Sequence, residues 1–274
     1  MAEQYASADA ETPAPGTLSE TVGYAFALFR RHFLRLLPLG IVFHAAFAGY
    51  LLYLSRAPYA DSDPGLGLVV LHLLMVILFC WVWAFGARCV HDQEAAGDVE
   101  PYDGHAGLFG RVILLFVLFQ FLSVLAVFPL VFLMEVGGVW LAGVVAIVSG
   151  LYLSIRCWMV PVVMGVEDRY SMDAIGRSWK LTSGGPAFLL ALGVVLFALA
   201  ATAVPGMLWK LGLDAVFYPG YLMDNGTAFF WWLGVVGGEA LLFPLFIAAS
   251  VAALHALQAG CPADAETDAE TDAD

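Results

Sequence analysis

Four polar side chains stand where long apolar runs leave little room for them. Arg156 lies about ten residues from the inner end of one run, and Glu239 about eleven residues into another from its outer end. At 1.5 Å per helical residue, these positions are about 15 and 16 Å deep. His44 and Gln120 fall at similar depth in two further runs. A charge at the centre of a bilayer costs about 2.5–3.5 kcal/mol on the insertion scale, so it calls for a partner. Opposite charges at one depth predict an Arg156–Glu239 pair across a bundle interior, with His44 and Gln120 nearby. A titratable histidine beside a carboxylate could relay protons or hold a polar ligand. The same residues could instead fix how helices pack, since interhelical polar contacts are worth about 0.6 kcal/mol on average.

The elements that would position them are the runs themselves. Twenty uncharged residues separate Arg35 from Arg56, twenty-four separate Asp63 from Arg88, and twenty-three separate Arg111 from Glu135. Twenty more reach from Glu135 to Arg156, and twenty-nine from Lys180 to Lys210. The last run follows Asp224 and is broken only by Glu239. About 20 apolar residues suffice for a helix to cross the hydrocarbon layer. Lipid offers no partner to backbone groups, so the spans must be helices, and the alternation of a membrane barrel is absent. The expected fold is an all-α integral membrane protein, a six-transmembrane-helix bundle with spans near 34–55, 66–87, 109–134, 137–165, 187–211 and 228–258. The chain is 61% hydrophobic and 13% charged. Soluble domains are about 45–50% apolar and about 25% charged, so a soluble core is excluded.

Charge is unevenly placed. The net charge is −13. Glu3, Asp9, Glu11 and Glu20 near the start, and Asp264, Glu266, Asp268, Glu270, Asp272 and Asp274 near the end, carry most of it with no base among them. Segments 1–16 and 261–274 cannot bury apolar surface and are expected to be disordered around a membrane domain, 17–260. Residues 1–16 show no basic n-region, so the first run is expected to remain as a span. Two lysines beside nine arginines would suit a halophilic or a GC-rich source. Arg30, Arg31, Arg35, Arg88, Arg111, Arg169, Arg177 and Lys180 fall on one side, against Arg56 and Lys210 on the other. The positive-inside rule then places both termini in the cytoplasm of a multi-pass plasma-membrane protein. Trp140, Trp209, Trp231 and Trp232 fall at outer ends and Trp81, Trp83, Trp158 and Trp179 toward inner ends, as interfacial tryptophans do. Cys80, Cys89, Cys157 and Cys261 form no CxxC pair, so neither a disulfide nor a metal site is expected.

Short amphipathic interface helices are expected before spans 1, 3 and 5. Residues 17–33 and 171–185 open with Thr17 and Ser171 as N-caps, and Glu20 completes a capping box. Val22, Ala25, Phe26 and Phe29 form one apolar face; Met172, Ile175, Trp179 and Ala174 form another. Residues 101–111 repeat the pattern more weakly, giving three units of interface helix plus hairpin. Gly234–Gly238 reads as a close-packing surface, and Pro129, Pro161, Pro205 and Pro244 as kinks. Glu167, Asp168, Arg169, Asp173, Arg177 and Lys180 crowd one inner loop. With Ser178 and Trp179 they make either a contact for headgroups or a partner, or a solvated surface with local pairs.

The stretch RCWMVPVVMGVEDRYSMDAIGRSWKLTSGG carries a resemblance. Pro161, Glu167, Ala174, Arg177, Ser178, Trp179, Leu181 and Gly184 match a pattern in uncharacterised bacterial and archaeal polytopic proteins. That group is similar to the membrane domain of some glycerophosphoryl diester phosphodiesterases. The match is specific over about thirty residues and architectural elsewhere. It implies six spans in three units, and no phosphodiesterase activity, because no soluble catalytic domain accompanies it. His91, Asp92 and Glu94 resemble metal ligands only in composition and suit an exposed loop. Asn225-Gly226-Thr227 is a sequon on the expected outer side. No P-loop, GxSxG or HExxH is present, so no cofactor, catalytic residue or nucleic-acid partner is expected. The leading expectation is a non-enzymatic scaffold or membrane-homeostasis factor acting on lipids, a protein partner or a second copy. The alternative is a small-solute, lipid or proton-coupled transporter using the midplane residues.

Overall fold

The computed structural model describes residues 16–56, 66–96, 105–217 and 225–260. The expectations for the acidic ends and for Cys261 fall outside them. Seven helices make up the described chain: α1 (Leu18–Arg56), α2 (Leu66–Ala96), α3 (His105–Cys157), α4 (Val160–Val166), α5 (Ser171–Leu181), α6 (Gly185–Phe217) and α7 (Asn225–Gly260). Among the described residues, five stretches are long and apolar enough to cross a membrane: Leu18–Tyr50, Val70–Glu94, Gly138–Val166, Gly185–Val216 and Leu233–Gly260.

Helix α1 begins at the expected capping box. The Glu20 amide donates to Thr17 Oγ1 (3.3 Å), and the Thr17 amide donates to Glu20 Oε2 (3.0 Å). From there α1 runs 39 residues without a break. The separate interface helix expected over 17–33 is therefore not present as an element of its own. No residue between Phe29 and Leu36 removes a helical hydrogen bond, and Pro38 is accommodated inside the helix. The segment ahead of span 3 likewise continues from His105 straight into α3. Of the three expected interface segments, only the one before span 5 forms a separate short helix, α5.

Helix α3 must fold back on itself. Its residue Arg111 accepts a hydrogen bond at its carbonyl from Ser171 Oγ, and Arg156 accepts one from Ser178 Oγ. Residues 171 and 178 lie about 10 Å apart along α5, whereas 45 straight helical residues would separate Arg111 from Arg156 by about 68 Å. The reversal is at Gly138, at φ 78° and ψ 168°. That combination is open almost only to glycine.

The expected fourth span, 137–165, is interrupted. Helix α3 ends at Cys157, and α4 restarts at Val160 with Pro161 in its first turn, where a missing N–H costs nothing. Residues 138–157 already cover about 30 Å of helix, enough to cross a bilayer alone. Helix α4 is buried from Val160 to Gly165. Gly165 lies against the backbone carbonyl of Ala84 in α2, where a Cβ has no space.

Helix α7 forms the centre. Its residues Phe243–Leu254 are buried throughout, with α1 and α6 packed along it. Phe246 meets Trp83 at 4.8 Å and Trp158 at 4.9 Å between ring centroids, which ties α7 to α2 and to the α3–α4 junction. Gly234 and Gly238 seat Leu213 and Trp209 of α6, and Trp209 Nε1 donates to the Gly234 carbonyl (2.8 Å). This is the small-residue packing expected of that segment.

A candidate binding cavity around Glu239 and His44

A cavity of about 430 Å³ opens between α1, α2, α6 and α7. Rings of Phe43, Phe79, Phe243 and Phe246 form much of its wall. His44, Thr202, Lys210 and Glu239 supply the polar groups. Few polar groups in an apolar cavity of several hundred Å³ are the usual composition of a small-molecule site.

The helices fix each polar group. His44 Nδ1 lies 2.8 Å from the Gly40 carbonyl. A carbonyl can only accept, so Nδ1 carries a proton and Nε2 is turned toward α7. There Nε2 stands 3.9 Å from Glu239 Oε2. The Glu239 side chain keeps 37% of its surface exposed. Among the described residues no hydrogen-bond donor reaches its carboxylate. Thr202 Oγ1 donates to the Ala198 carbonyl one turn back (2.7 Å). Lys210 Nζ lies 5.7 Å from the centroid of the Trp231 ring.

The structure therefore joins two of the four residues expected at one depth. Gln120 lies in α3, and its side chain falls outside the described residues. Arg156 is elsewhere, and among the described residues no ion pair joins it to Glu239. The reason is the break after Cys157, which leaves Arg156 in the last turn of α3 rather than in mid-span. Its NH1 donates to the carbonyls of Thr182 (2.6 Å) and Trp179 (3.2 Å), and its Nε to Tyr152 Oη (3.2 Å). The guanidinium also lies about 5 Å from the rings of Tyr152 and Trp179. Arg156 thus caps the end of α5, whose last carbonyls have no helical partner.

The residues that carry the resemblance fall into one clasp around α5. Ser171, Ala174, Ser178 and Leu181 face the bundle. Met172 and Trp179, read as part of its apolar face, are 66% and 40% exposed. Helix α5 packs by its small residues because two of their hydroxyls bond α3 carbonyls. Glu167 joins Arg169 (2.6 Å), Arg177 (3.3 Å) and Gln258 of α7 (3.0 Å). Lys180 stays exposed in the last turn. Asp168 adopts a left-handed φ of 54°. Arg111 NH1 bonds both its carbonyl (2.7 Å) and its Oδ1 (2.6 Å).

Those hydrogen bonds from Arg111 hold the Asp168 carboxyl below the ordinary aspartate value of 3.8; its partial burial opposes the shift, and attraction from Arg111 and Arg88 adds to it. A depressed folded value gives stability that is present above the unfolded pKa and lost as pH falls through the folded one. Asp168→Asn is accordingly expected to unfold below wild type at pH 7. The two melting curves should converge as the pH drops below 3.8, which thermal unfolding in detergent would read out.

Sequence reasoning missed a second polar group at the end of the bundle that carries Arg31. His32 is 4% exposed and bonds Gln93 Oε1 and Glu94 Oε1, both at 2.7 Å. Arg31 NH1 pairs with Glu94 Oε2 at 2.7 Å. His255 of α7 meets Tyr24 Oη (3.3 Å) and His91 (3.4 Å). His91, Asp92 and Glu94 are thus not in an exposed loop but in the last turns of α2, where Glu94 reaches α1, His91 reaches α7, and Asp92 pairs with Arg88 of α2 itself. Their signal was polar residues at the same end of three apolar helices.

The chain matches no protein-family model, no curated protein and no solved structure.

Proposed function

We propose that the protein is a non-enzymatic multi-pass membrane protein that carries a small amphipathic solute through the cavity around Glu239. The observation behind this reading is a cavity of about 430 Å³ that reaches a carboxylate and an imidazole. Within the run from Arg35 to Arg56, His44 stands nine residues from the nearer end, about 14 Å, close to mid-bilayer. A scaffold would be expected to fill such a space with apolar side chains.

The membrane arrangement belongs to the same proposal. Residues 105–137 supply a sixth span of about 50 Å ahead of Gly138. The end carrying Arg31, Arg88 and Arg111 faces the cytoplasm, and Lys210 faces outward, as the positive-inside rule requires. Helix α5 then lies at the inner surface with Met172 and Trp179 toward lipid. That exposed pair favours a second reading, in which the bundle acts as a lipid-contacting scaffold. The resemblance to uncharacterised polytopic proteins fits either.

Accessibility separates the two. In a background without the native cysteines, Thr202→Cys inside the cavity is compared with Leu196→Cys on the exposed face of α6. A water-soluble thiosulfonate is expected to label position 202 at least tenfold faster. Equal protection of both positions would leave the scaffold reading.

A further inference from the structure

We propose that this cavity takes a small monovalent organic cation in exchange for one proton held between Glu239 and His44. The inference rests on the reading of the cavity as a solute site.

Its first ground is the state of the carboxylate. An ionisable group at membrane depth faces a bundle interior or a cavity and is paired. Glu239 has no hydrogen-bond donor among the described residues, and its nearest charged or chargeable neighbour is His44 Nε2 at 3.9 Å. The second ground is the tautomer. The Gly40 carbonyl takes the Nδ1 proton, so Nε2 of a neutral His44 presents a lone pair to the carboxylate. Two acceptors facing each other attract only when a proton lies between them, on either atom. At 3.9 Å they make no direct hydrogen bond, so we take the pair to hold one proton by charge attraction.

The other groups around Glu239 leave that proton to this pair. Helix α1 contributes His44, and α2 contributes Phe79, which does not titrate. Helix α6 contributes Lys210, whose Nζ is placed over Trp231 and forms no ion pair with Glu239 among the described residues. The rest of the cavity wall is uncharged, and four of its side chains are aromatic: Phe43, Phe79, Phe243 and Phe246. Ring faces attract cations, ammonium groups in particular.

The exchange conserves charge. With the proton in place, carboxylate and imidazole together are neutral. When the cation enters, it takes the carboxylate as its counter-ion, the proton leaves from His44 or Glu239 to water, and His44 remains neutral. The Glu239–His44 pair with its proton or its cation carries no net charge in either state, and Lys210 keeps its own charge over Trp231 throughout, so the exchange adds no charge to the cavity.

The test uses the full chain in lipid nanodiscs with phenyltrimethylammonium and its uncharged isostere tert-butylbenzene. Calorimetry in buffers of different ionisation enthalpy counts the protons released. Phenyltrimethylammonium is expected to bind with about one proton released, its affinity rising about tenfold per pH unit while the pair is protonated. Glu239→Gln should abolish the proton release and weaken binding at least tenfold, and Glu239→Asp should retain both. Binding of tert-butylbenzene but not of the cation overturns the cation assignment and leaves the cavity a solute site. Cation binding without proton release overturns the exchange. Binding of neither probe overturns the exchange and the solute-site reading together.

Discussion

Arg156→Met is expected to destabilise the purified protein by about 2–4 kcal/mol, and Glu239→Met to leave it as stable as wild type or slightly more so. Arg156 donates to two carbonyls at the end of α5 and lies against two aromatic rings. A carbonyl left without its partner costs about 1–3 kcal/mol when buried, and each cation–π contact adds about 0.5–1 kcal/mol. Partial exposure of this end keeps the total below the simple sum. Glu239 differs: no hydrogen bond among the described residues is lost with it, its side chain is 37% exposed, and its contact with His44 Nε2 is long at 3.9 Å, so its removal should cost little. Thermal unfolding of the two single variants and the double variant measures this. Were the two residues an ion pair, each single variant would be costly and the double variant would recover much of the loss. The geometry predicts instead that the effects add.

The two residues look alike in the sequence because each is a charge inside an apolar run, and the run length sets the apparent depth. That logic located the helices well. The capping box at Thr17 and Glu20 formed, and the change of span between residues 134 and 137 met the reversal at Gly138. It failed where structure changes without a change in polarity. Cys157, Trp158, Met159 and Val160 are all apolar, so the break between α3 and α4 leaves no mark in a reading based on charge. Pro161 was the available signal, read as a kink when it marks the start of a new helix. On α5 the apolar residues Met172 and Trp179 stay exposed while the small residues Ser171, Ala174 and Ser178 pack inward, a choice that polarity alone does not mark. His44 and Glu239 were legible as neighbours, though the pair was expected between Arg156 and Glu239, because both stand deep within long helices. The cavity beside them was not, since it depends on how four helices diverge.

In reconstituted vesicles the largest functional effect should come from Glu239→Gln. An ionic contact to a bound cation is worth about 1.5–3 kcal/mol, which corresponds to a ten- to hundred-fold loss. The substitution also removes the proton whose release drives the exchange. The amide is close in size to the carboxyl, and the fold loses no hydrogen bond seen among the described residues, so the protein should still reconstitute. Phenyltrimethylammonium suits this test because it has no uncharged form that could cross lipid unaided. Its uptake into vesicles with an acidic interior, measured with a radiolabel, addresses the central claim most directly. Wild-type protein is predicted to accelerate uptake at least tenfold over Glu239→Gln, and only while the proton gradient lasts. Uptake equal to that of protein-free vesicles, or equal in wild type and Glu239→Gln, would contradict it.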